Sequence, residues 1–112
     1  MKSNVDRKEV AREYKARKSA RGIFALRDAG AGEVWVGSSM DLRGAKNGLW
    51  FFLSNGHHKD SVLQAHWNSR GEQAFQFEVL EQIEDQVSAL SIADVLKERR
   101  NYWTAQLDAR RL

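Results

Sequence analysis

Apolar residues fall in short runs along the chain, separated by polar or glycine-rich stretches, and each run has its own period. Over 4–18, Val5, Val10 and Tyr14 share one side of a helical wheel, with Asn4 or Asp6 placed to cap its start. Gly22–Arg27 and Glu33–Ser38 read as strands. Between them lies Asp28-Ala-Gly-Ala-Gly32, a turn too long for a two-residue hairpin loop but rich in glycine. A helix is predicted from Asp41, a good N-cap, towards Leu53. Its Gly44 and Gly48 lie on one face. Each costs roughly 1 kcal/mol against Ala in a helix, so the face either admits close backbone packing or leaves the helix weak.

The pattern continues with a polar loop, Ser54–Asp60. Asp60 or Ser61 caps a short helix, Val62–Arg70, which Gly71 ends. Phe75, Phe77, Val79 and Glu81 alternate with Gln76, Glu78 and Leu80, the period of a third strand. A last helix is predicted over about Ser88–Arg110, with Leu90, Val95, Leu96, Tyr102, Trp103 and Leu107 as its apolar stripe. The order is α-β-β-α-α-β-α. With no repeats, no proline and no internal linker, one compact unit over 21–112 is expected, preceded by a helical segment over 1–20.

Composition adds limits. A chain of 112 residues that is 42% hydrophobic builds one modest core. The longest apolar run, Leu49–Leu53, is far short of the roughly 18 residues of a membrane span. The charged N-terminus is followed by no apolar segment, which is not the pattern of a secretory signal. The absence of cysteine excludes disulfides and thiolate chemistry. A cytoplasmic location is the expectation. Net charge is +3, but residues 1–21 carry eight basic and three acidic side chains, a net +5, which leaves the rest at −2. A basic arm on a nearly neutral body reads either as an electrostatic footprint for nucleic acid or as a solvated helix with i,i+4 ion pairs.

Five stretches together resemble the GIY-YIG nuclease family. "GIF" (22–24) and "VWVGSS" (34–39) are similar to the two halves of its motif. "NGHHKDSVLQAHW" (55–67), "FQFEVLE" (75–81) and "ERRNYW" (98–103) follow in family order. The resemblance implies an α+β fold, a small three-stranded antiparallel sheet flanked by helices, with a site in a groove between the hairpin and the next helix. It also implies phosphodiester hydrolysis by two tyrosines, an arginine and often a histidine on the first helix, and a glutamate holding one divalent metal.

This chain departs at each of those positions. Phe24 and Trp35 replace the tyrosines, Ala45 the arginine, Leu49 the histidine and Arg100 the glutamate. Phe carries no hydroxyl and an indole N–H only donates, so neither is a general base. Arg43 lies about 200° round the helix from Ala45 and Lys46 about 100°; Lys46 is the better phosphate contact. Glu98 is two positions from Arg100, on another face. A guanidinium at the carboxylate's place repels Mg²⁺. No metal ligand set is expected, and no cofactor.

The favoured expectation is therefore a degenerate GIY-YIG domain that binds nucleic acid, DNA or RNA. Phe24 and Trp35 would stack on bases, while Arg43, Lys46, His58, Lys59 and Arg100 meet phosphates. Packing in the core is the alternative for the two rings. A second expectation is a slow Mg²⁺- or Mn²⁺-dependent endonuclease with a rearranged site, using Glu98, His58 and Lys46. A third is a homodimer or protein-interaction domain. Trp50-Phe-Phe-Leu53 cannot all face inward on one helix, because neighbours are 100° apart. The resemblance also suggests a bacterial or phage setting.

Overall fold

A computed structural model describes residues 20–84 and 90–112. The helix expected over 4–18, and with it most of the basic arm, lies outside the described residues.

Strands β1 (Arg21–Asp28) and β2 (Glu33–Ser39) form an antiparallel hairpin, in register from Asp28 opposite Glu33 to Gly22 opposite Ser39. Asp28, read from the sequence as the first turn residue, instead closes β1. Its carbonyl accepts from Ala31 N–H at 3.2 Å. Helix α1 (Leu42–Ser54) starts where Asp41 accepts from Arg43 N–H at 3.1 Å. It buries Leu42, Leu49 and Leu53, each contributing about 1.5–3 kcal/mol, which outweighs the cost of Gly44 and Gly48. Among the described residues those glycines meet no other helix: a Cβ at Gly48 would meet nothing within 4 Å, and one at Gly44 only the Asp41 carboxylate.

Helix α2 (Ser61–Arg70) is capped by Asp60, whose carboxylate accepts from Val62 N–H at 3.0 Å and Leu63 N–H at 3.1 Å. Gly71 ends it. A single 3₁₀ turn, Glu72–Ala74, leads into β3 (Phe75–Ile83), which pairs antiparallel with the other side of β1. Helix α3 (Ile92–Gln106) begins and ends inside the span expected from the sequence.

The sheet differs from the expected one. Asp108, at φ 49°, turns the chain back after α3, and Arg110–Arg111 form β4, parallel to β2. Leu112 N–H then donates to Val36 C=O at 2.8 Å. The result is a four-stranded mixed sheet in the order β3-β1-β2-β4. The order of elements gains a strand that no pattern of two arginines announces.

Two cores lie on the two sheet faces. One joins Phe24, Leu26, Trp35 and Phe75 to α1 and α2 through Leu49, Leu53, Leu63 and Trp67. The other joins Ile23, Val36 and Ile83 to Ile92 and Leu96 of α3. A bulge in β3 sets which residues reach which core. Ile23 pairs with Glu81 and Phe24 with Val79, so Leu80 is the extra residue. Glu81 therefore leaves the face of Phe75, Phe77 and Val79, where strict alternation placed it, and turns towards α3.

Candidate functional site

Four of the five positions that carry chemistry in the resembling family, Phe24, Trp35, Ala45 and Leu49, come together here, but as packing. Phe24 is 4% exposed and stacks on Phe77 at 5.0 Å between centroids. Its ring tip lies against Gly37: a Cβ there would sit 2.6 Å from Phe24 Cζ and 3.1 Å from Leu112 Cδ2. Trp35 is fully buried, edge-on to His66 at 5.1 Å and tilted against Phe75 at 6.1 Å. Its indole N–H has no hydrogen-bond partner among the described residues. Leu49 belongs to the same core, and Ala45 packs against it. Phe24 and Trp35 thus present no face to a base, which corrects the expectation that they form a stacking surface.

Arg100 stands on α3, half-buried, with its Nε unpartnered among the described residues. Its carbonyl accepts from Thr104 Oγ1 at 2.7 Å. Glu98 is exposed one face away. A divalent cation does not fit the five motif positions. They supply two aromatic rings, two aliphatic side chains and a permanent cation, and no anionic oxygen. No group of three or more His, Cys, Asp or Glu gathers as a metal site among the described residues.

The exposed chemistry lies along α1 and its following loop. Arg43 and Lys46 are exposed, and Lys46 Nζ sits 5.3 Å from the centre of the Trp50 ring, a cation–π contact. Trp50 is half-buried against Trp67, and Leu53 is buried. Phe51 and Phe52 stand 65% and 50% exposed. A cleft of about 320 Å³ is lined by Phe52, His57, His58 and Lys59. His58 Nδ1 accepts from Asp60 N–H at 3.0 Å, which places the ring proton of the neutral imidazole on Nε2. Burial holds this imidazole below its ordinary range; the Lys59 charge pushes the same way, against Asp60.

Two clusters went unnoticed in the sequence. Asp28, fully buried, accepts from Arg70 at 2.8 and 3.1 Å, from Ala31 N–H at 3.1 Å, and meets His66 Nε2 at 2.9 Å. The Arg70 hydrogen bonds hold its carboxyl far below the usual carboxylate range. They prevail over burial, with help from His66 and Ala31. The i,i+4 spacing of His66 and Arg70 on α2 was the available signal. On the other face, Glu81 Oε1 accepts from Arg99 Nε at 2.8 Å and Trp103 Nε1 at 2.9 Å. Burial raises this carboxyl, but the Trp103 and Arg99 contacts outweigh it and lower it overall.

No helix among the described residues is long and apolar enough to cross a membrane. No protein-family model and no curated protein matches the chain. Solved structures do. The catalytic domain of homing endonuclease I-TevI superposes with a TM-score of 0.69 at 26% identity, over 82% of this chain and 97% of that one. A mutant form of the catalytic domain of intron endonuclease I-TevI gives 0.68 at 27% identity, over 80% and 84%. The hairpin, the flanking helices and these likenesses agree: the chain has a GIY-YIG-like fold, that of a nuclease catalytic domain.

Proposed function

We propose that this domain binds nucleic acid and lacks the metal-dependent phosphodiester hydrolysis associated with its fold. One observation carries the reading. Phe24, Trp35 and Leu49, with Ala45 against them, fill the motif positions as a single packed core. Hydrolysis of a phosphodiester needs an activated water, relief of charge on phosphorus and a stabilised leaving oxygen. Buried hydrocarbon supplies none of these, and the Arg100 guanidinium cannot replace a carboxylate as a metal ligand.

Binding is supported by charge. Residues 42–59 contain Arg43, Lys46 and Lys59 and no Asp or Glu. Cations on one helix and its loop attract phosphates, with affinity of about 10⁻⁴–10⁻⁶ M at physiological salt, falling steeply as salt rises. The test incubates the protein with single- and double-stranded DNA and RNA, with Mg²⁺ or Mn²⁺ and with a chelator. Expected are mobility shifts at low salt that the chelator leaves unchanged, and intact substrate. Cleavage that Glu98→Ala abolishes would establish the rearranged nuclease instead. Absence of any shift at low salt would end the binding reading.

A further inference from the structure

We infer that the cleft between the end of α1 and the α1–α2 loop is a subsite for an unpaired nucleotide, with its base on Phe52 and its phosphate at Lys59. This rests on the nucleic-acid reading above and narrows it to single strands.

The cleft is built by the local fold. Gly56, at φ 74°, folds the chain back over the helix end. His57 N–H donates to the Phe52 carbonyl at 2.8 Å, and Gly56 N–H to that of Leu53 at 3.2 Å. The loop is therefore tied to the residue whose ring forms the cleft wall. The ring of Phe51 meets Phe52 edge-on at 5.6 Å. Gln64 completes the frame: its Oε1 accepts from His58 N–H at 3.0 Å and its Nε2 donates to the Leu53 carbonyl at 2.9 Å.

The chemistry of the lining selects the ligand. A half-exposed phenyl ring offers a flat apolar surface, which in water seeks another flat apolar surface. Lys59 makes no ion pair with the described residues. The nearest carboxylate in sequence, Asp60, is committed to the two N–H groups that open α2. His58 offers an Nε2–H donor. An aromatic wall beside a cation unpaired among the described residues and a neutral donor suits a planar base joined to an anion. At about 320 Å³ the cleft lies at the small end of ligand pockets, the size of a nucleotide rather than a duplex. Within a duplex both faces of each base are stacked, so away from the helix ends only an unpaired base can lie flat on Phe52.

The experiment measures fluorescence anisotropy with labelled oligothymidine of about twelve nucleotides and with a duplex of equal length, for the native protein and Phe52→Ala, Phe52→Trp and Lys59→Ala. Circular dichroism checks each fold; Phe52 is half-exposed, so its loss removes little core. The expected result is a preference for the single strand. Phe52→Ala weakens it about ten-fold, and Phe52→Trp retains it. Lys59→Ala reduces the slope of log affinity against log salt by about 0.7. Duplex binding is unmoved by Phe52→Ala. Equal binding of both strands forms, indifferent to Phe52, overturns the subsite while leaving nucleic-acid binding intact. No binding of either form overturns both. A dimer in sedimentation that Phe52→Ala dissolves also overturns the subsite, because the ring is then covered by a second copy.

Discussion

The Asp28 carboxylate is gripped by the Arg70 guanidinium through two hydrogen bonds, across 42 positions of sequence. The pair fastens the far end of the hairpin to the last turn of α2. Asp28 sits on the α2 side of the sheet in register with Phe75, one step along from Leu26 and Trp35. An unpaired carboxylate there would lack water and counter-charge alike. With His66 and the Ala31 N–H it is satisfied on both oxygens.

The two ends of this pair are unequal under mutation. Asp28→Asn keeps an acceptor and leaves Arg70 to solvent, so it costs about 1–3 kcal/mol. Arg70→Ala leaves a buried carboxylate with only His66 and one N–H, and it destabilises more. Urea unfolding of the two variants gives the order. A milder effect for Arg70→Ala would show that water already reaches Asp28.

Acid should unfold the protein through the same carboxylate. The folded value of Asp28 is depressed, so its contribution is complete above the unfolded value near 3.9 and is lost as pH falls towards the folded one. Glu81, also depressed, acts with the same sign. Denaturation below about pH 4 should steepen for the native protein and flatten for Asp28→Asn. An unchanged slope in that variant would assign acid sensitivity elsewhere.

Much of this arrangement was legible one element at a time. The two paired strands, the Asp41 cap and the Gly71 stop follow from local chemistry, and the structure places them as read; of Asp60 and Ser61, it is Asp60 that caps α2. What escaped depends on distance or on an irregularity. Nothing near Asp28 in sequence announces that its partners come from α2. The Leu80 bulge looks like ordinary alternation until β1 fixes the register, and strict alternation puts Glu81 on the face opposite to the one it occupies. The replaced motif positions were identifiable from the sequence. That Phe24 and Trp35 are sealed into the core, while Phe51 and Phe52 take the exposed places, required the packing.

Gly22 is constrained by its neighbour strand. A Cβ at this position would collide with the Glu81 backbone carbonyl, where β3 crosses beside its bulge. Backbone cannot swing aside as a side chain can. Gly22→Ala is expected to cost about 1–3 kcal/mol and to loosen β3 from β1. Hydrogen exchange localises the effect: faster exchange confined to these two strands is expected, and a neutral variant would contradict the register at Gly22–Gln82.

His58 links pH to stability and, on the proposed reading, to binding. Its folded value is depressed, so the unfolded chain takes up the proton first. Stability is full above the ordinary imidazole value near 6.5 and declines as pH falls from there to the depressed value. Protonation also breaks the bond that Nδ1 accepts from Asp60 N–H. The imidazolium would stand beside Lys59, so on the proposed reading nucleic-acid affinity should rise only as pH falls further, through the depressed folded value. A nuclear magnetic resonance titration of the ring is expected to show a midpoint below about 6.5. A higher midpoint would mean that Asp60 dominates over burial and Lys59.

If the proposed reading holds, supplying one family-type group should not create an enzyme. Arg100→Glu returns a carboxylate to α3, but the hairpin and α1 positions remain filled by packed side chains, so calorimetry should detect no tight Mg²⁺ binding and assays no cleavage. Adding Phe24→Tyr brings a specific conflict. The new hydroxyl would project from Cζ, which already lies against Gly37 with Leu112 beside it. It would enter a dry contact without a partner, at a cost of about 1–3 kcal/mol. Thermal unfolding of Phe24→Tyr should therefore show a lowered midpoint. If the variant is as stable as the native protein and the double variant cleaves DNA with Mg²⁺, then space and water remain at the hairpin, and the hydrolytic site is dormant rather than filled.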